Sequence, residues 1–152
     1  MDQDILDHLR KLHTRAIDAR NGYQEALDEA DGHGCSALFH DMIALHEGHS
    51  RALAAELTKA GETPDDGGSF MSLVHEAIMN VRGLFNSLDE SVLPGLIDGE
   101  KRNVETYDDA LRAITSPPLV TLLTAQRDEL RRQIATMEAQ QADFERAAAE
   151  AR

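Results

Sequence analysis

Apolar side chains recur every three or four positions along most of this chain, and no stretch of it alternates apolar and polar residues one by one. The first rhythm belongs to a helix with one buried face and the second to a strand, so the chain is directed to an all-α fold. The rhythm falls into five segments. The first, about 4–31, carries Ile5, Leu9, Leu12, Ala16, Ala19, Tyr23, Ala26 and Leu27 on one stripe. It stops at Gly32 and Gly34, residues suited to the left-handed conformation that closes a helix. The second, 36–60, opens at Ser36, a candidate N-cap, and carries Leu38, Met42, Leu45, His49, Leu53 and Leu57. A loop rich in Gly and Pro follows at 61–68. A shorter segment, 69–86, holds Phe70, Val74, Ala77, Ile78, Val81 and Leu84. The fourth, 88–114, follows Ser87 and Glu90, spaced as a capping box, and carries Leu93, Ile97, Glu100, Val104, Tyr107 and Leu111. Pro94 lies in its first turns, where proline delays or kinks a helix. The fifth, 117–147, opens at Ser116-Pro117-Pro118 and runs through Leu119, Leu123, Gln126, Leu130, Ile134, Met137 and Phe144. Its Ala- and Glu-rich end is expected to fray.

The length, 152 residues, suits a single domain over 1–152 with a full core. Fifteen basic residues stand against 28 acidic ones, a formal charge of −13. Such a surface repels nucleic-acid phosphates and anionic lipid, so neither nucleic acid nor membrane is an expected partner. The single cysteine, Cys35, allows no intrachain disulfide, and Met1-Asp2-Gln3-Asp4 lacks the basic start of a signal peptide. With no apolar run of membrane-spanning length, the expected location is the cytoplasm.

Tyr23-Gln24-Glu25-Ala26-Leu27 resembles Tyr107-Asp108-Asp109-Ala110-Leu111 at an offset of 84 residues. The same offset carries Leu38-Phe39 onto Leu122-Leu123 and Leu53 onto Met137. Two similar helical hairpins joined by a long crossover with its own helix make a ferritin-like antiparallel four-helix bundle. Asp18-Ala19-Arg20-Asn21-Gly22-Tyr23, the loop leading to Phe70, and Gly99-Glu100 followed by Tyr107 and Ala110-Leu111 carry a closer likeness. The chain resembles an uncharacterised four-helix-bundle family of unknown function grouped with the ferritin-like proteins. That resemblance implies a fold and assigns no activity.

All seven histidines precede residue 76, and His46-Glu47-Gly48-His49 places two of them on one helical face. The motif is one residue short of the His-Glu-x-x-His protease signature. A two-metal bundle centre draws carboxylates and a Glu-x-x-His pair from its helices. Here the repeat places Ala16 opposite Glu100, and Leu130 and Gln133 opposite His46 and His49, so a full di-iron set is not expected. A smaller metal site would use His46, His49, Glu100 and Glu129, a donor set suited to Fe, Mn or Zn. The preferred reading is a polar core cluster without cofactor, in which His49 bonds Glu100 or Gln133, a tyrosine completes the network and His46 sits at a partly solvated edge. His8, His13, His40 and His75 are expected at the surface, His33 in a turn, and Cys35 in a loop where exposure would make it reactive. No phosphate loop, nucleophile elbow or Cys-rich metal motif is present. The chain thus reads as a non-catalytic bundle acting by self-association or protein interaction, with apolar residues of 69–86 in excess of one face as a candidate contact. The alternative is a metal-binding stress protein with a reduced ferritin-like site.

Overall fold

The computed structural model describes residues 2–30, 35–64 and 92–151 of the protein. Four helices and no strand occur among them: α1 (Gln3–Ala30), α2 (Ser36–Lys59), α3 (Leu93–Ala113) and α4 (Pro117–Glu150). The expected helix at 69–86, the Gly32–Gly34 stop, the Ser87–Glu90 box, His33 and His75 lie outside the described residues.

Local chemistry explains the observed ends. α2 is preceded by Cys35 at the N-cap position, so Ser36 is its first helical residue and not the expected cap. At the other end Gly61 takes φ +86°. Its N–H donates to the Thr58 carbonyl and that of Glu62 to the Leu57 carbonyl, at 3.0 Å each, the paired bonds of a Schellman stop. α3 starts at Leu93, so Pro94 falls in the first turn, where its missing N–H costs nothing. Ser116 occupies the expected N-cap of α4, yet its hydroxyl makes no capping bond. α4 runs on through its Ala-rich end to Glu150, three residues past the expected stop, with Gln141 donating to Glu145 at 3.0 Å across one turn.

The core fixes the helix directions. One apolar cluster joins Leu6, Leu9 and Leu12 of α1 to Leu53 and Leu57 of α2, Tyr107 and Ala110 of α3, and Leu119 and Leu123 of α4. A second joins Ala19 and Tyr23 to Leu38, Phe39 and Met42, Leu93 and Leu96, and Ile134 and Met137. Early α1 thus meets late α2 and late α3, so α1 is antiparallel to both, while α2 and α3 run parallel and α4 runs antiparallel to its hairpin partner α3. Because α2 and α3 are parallel, the end of α2 and the start of α3 lie at opposite ends of the packed helices.

Between the two clusters lies a polar layer. His46, His49 and Ser50 of α2, Glu100 and Asn103 of α3 and Gln126 of α4 are all buried. α4 has 34 residues against 21 in α3, so it outruns its hairpin partner by thirteen, about 20 Å. None of α4 beyond Met137 is buried, and Phe144, expected on the inner stripe, is 37% exposed. No helix among the described residues is long and apolar enough to cross a membrane.

Candidate functional site

The polar layer is built by one helix that carries imidazoles inward and two that answer with carboxylates. His49 follows His46 by three positions, so both project from one face of α2. His46 Nε2 lies 3.0 and 3.2 Å from the two oxygens of Glu100, and His49 Nε2 lies 3.2 Å from Glu129 Oε2. The two rings meet edge to face with centroids 6.2 Å apart. Each also packs on a tyrosine: His46 stacks on Tyr23 at 5.9 Å, and His49 meets the edge of Tyr107 at 6.3 Å.

Further bonds extend the layer. Asn103 Nδ2 donates to Glu100 Oε1 at 2.8 Å, and Arg15 Nε of α1 donates to Asn103 Oδ1 at 2.8 Å. Tyr107 donates to Gln126 Oε1 at 2.9 Å, and Gln126 donates to the backbone carbonyl of His49 at 3.4 Å. Beside them a cavity of about 10 Å³, room for one water, is lined by Arg15, Ala16, His46 and Asn103 among others. Within the layer the buried Tyr23 Oη and His49 Nδ1 have no hydrogen-bond partner among the described residues.

Burial sets the electrostatics. It pushes the Tyr23 and Tyr107 hydroxyls up, and the Glu100 charge adds to both shifts, so both phenols stay protonated. His49 titrates below the ordinary imidazole range, first because it is buried and then because His46 is close, with Glu129 opposing. Arg15 is lowered by burial, while Glu100 and Asp18 favour its charge.

The four residues singled out by sequence all reach the layer, but as two pairs. His46 bonds Glu100 and His49 bonds Glu129, where the expected partner of His49 was Glu100 or Gln133. His46, expected at a partly solvated edge, is buried because Glu100 on α3 closes over it. Glu100 is 0% exposed, whereas the Glu129 side chain is 46% exposed. Glu47, between the histidines, turns outward to Arg20 and Arg51. His40 is exposed as expected, but His13 is buried, and Cys35 is buried too, which removes the exposure its reactivity required. Sequence reasoning missed Arg15 and Asn103. The spacing of Asn103 three residues after Glu100 was a usable signal; for Arg15 there was none.

The internal repeat explains the layer's asymmetry. At the 84-residue offset Gln126 corresponds to Met42, so Tyr107 has a hydroxyl partner where the equivalent position for Tyr23 is a thioether. Glu100 matches Ala16, Glu129 matches Leu45, and the two histidines match Leu130 and Gln133. Imidazoles therefore come from the α1–α2 hairpin and carboxylates from the α3–α4 hairpin. These residues do not fit a two-metal centre. Half of the required donors are missing, and no three His, Cys, Asp or Glu side chains among the described residues come together on one point.

A family model described as a domain of unknown function, DUF2383, matches residues 4–113. The chain belongs to that family. The match spans α1 to α3, and α4 lies beyond it. The curated proteins contain no match to the chain.

Proposed function

We propose that this protein is a ferritin-like bundle that catalyses no reaction and acts by self-association, with the projecting end of α4 as the contact. The observation that carries this reading is the course of the α4 stripe. Leu130, Ile134 and Met137 are buried, and the same four-three rhythm continues through Gln141, Phe144, Ala148 and Ala151, where residues 142–151 are exposed. Nearly two heptads with small residues around one aromatic suit a short pairing with the same helix of a second copy. The pairing of each imidazole with a carboxylate supports the non-catalytic part, since His46 Nε2 and His49 Nε2 are both engaged within the protein. A cytoplasmic setting belongs to the same proposal and is supported by the single, buried Cys35.

Light scattering on the column eluate tests it. The expected result is a dimer or larger species that Phe144→Glu converts to a monomer with unchanged helicity; a wild-type monomer at every concentration refutes it. The competing reading is a single Fe, Mn or Zn ion held by His46, His49, Glu100 and Glu129. It is supported by the 3.0–3.2 Å approach of each imidazole to a carboxylate. Stoichiometric metal in untagged protein would establish it.

A further inference from the structure

Glu100 presents a chemical problem that His46 alone does not solve. A fully buried carboxylate is costly unless a positive charge stands near it. A divalent ion is the usual cation of such a bundle centre, and the donor set does not converge on one. The other cation nearby is Arg15. It reaches the layer from α1, directly beside Ala16, the position that the repeat pairs with Glu100. Its Nε donates to Asn103, whose amide donates in turn to Glu100. Arg15 and His46 also line the small cavity that the alanine leaves.

We infer that Arg15 is the resident cation of this core: it balances Glu100 through Asn103 from the place where the first hairpin lacks an acid, and its charge keeps divalent metal out. The inference rests on the polar-core reading above and adds the residue responsible. Arginine suits the role because its guanidinium stays charged when half-buried and directs several donors at once. A metal ion entering beside His46 and Glu100 would meet like charge at close range, which disfavours its binding in partly desolvated surroundings. Burial opposes the Arg15 charge most, and Arg102 opposes it too, while Glu100, Asp18 and Glu105 favour it.

The test compares wild type, Arg15→Lys and Arg15→Gln, each in chelator and in excess Co(II), read by visible absorbance and by thermal melting. Glutamine retains a donor for Asn103 and loses the charge; lysine retains the charge. Wild type and Arg15→Lys should show no ligand-field absorbance and no melting shift with Co(II). Arg15→Gln should melt lower in chelator, bind Co(II) at least about tenfold more tightly than wild type, and regain stability on binding. Stoichiometric Co(II) in the wild type would overturn the polar-core reading itself. A wild type and Arg15→Gln variant that both ignore Co(II) would leave that reading standing and overturn the role of Arg15. Should Arg15→Gln fail to fold in chelator, recovery of its helicity with Co(II) would support the role of Arg15, and no recovery would overturn it.

Discussion

Replacing Glu100 by Leu while keeping His46 would leave an imidazole N–H buried against an alkyl group where the carboxylate now accepts from it. His46 and Glu100 side chains are 3% and 0% exposed, so solvent screens neither. Breaking a buried pair of this kind costs about 3–5 kcal/mol. In a domain of this length each kcal/mol lowers the melting temperature by about 2–4 °C, so the single variant should melt roughly 6–20 °C lower. His46→Leu should cost a similar amount by removing the one imidazole that bonds the carboxylate directly. The double variant removes both polar groups and fills their places with apolar volume, and it should lie within about 2 kcal/mol of wild type. Urea unfolding of the four proteins, followed by circular dichroism, closes a double-mutant cycle with an expected coupling above about 2 kcal/mol. A coupling under about 0.5 kcal/mol would show that the two groups do not depend on one another, and the polar layer would not be the mutually satisfied network described above.

Two further outcomes follow from the same layer. Tyr107→Phe should cost about 1–2 kcal/mol because Gln126 Oε1 loses its donor, whereas Tyr23→Phe should be neutral or stabilising because the Tyr23 hydroxyl has no partner among the described residues; equal losses in denaturant unfolding would contradict this contrast. Because burial lowers the His49 pKa in the folded state, the unfolded chain takes up its proton first as pH falls. Stability from this residue is therefore complete above about pH 6.5 and declines below it, by at most about 1.4 kcal/mol per pH unit, until the folded pKa is reached. Melting curves between about pH 7.5 and 5.5, spanning the ordinary imidazole range, should show a smaller decline for His49→Gln than for wild type, and an identical decline would count against the assignment.

The four described helices were legible because each writes its buried face at helical spacing, as Leu38, Met42, His49, Leu53 and Leu57 do on α2. Their ends were less so. Ser36 looked like a cap, but capping depends on where the preceding backbone turns, and Cys35 takes that position. The candidate residues were found because His49 and Glu100 interrupt apolar stripes and His46 stands one turn from His49. Their pairing was misread because it is decided by which helices face each other across the layer. Periodicity within one helix carries no information about the rotation of its neighbour. His13 shows the same limit: it lies off the α1 stripe yet is buried. Arg15 escaped notice for a further reason, since a basic residue beside a stripe has the signature of an ordinary surface charge.

The division of imidazoles and carboxylates between the two hairpins also governs which partners each hairpin can accept. Had the repeat stayed symmetrical, residues 2–64 could pair with a second copy of themselves as readily as with residues 92–151. As the chain stands, a pair of first hairpins would bring four imidazoles and two arginines together without the acids that answer them here. A pair of second hairpins would confront Glu100 and Glu129 with their own duplicates. Facing arginines without their acids in the first case and facing carboxylates in the second penalise the self-pairings, so the polar layer favours the pairing of the two unlike halves of one polypeptide.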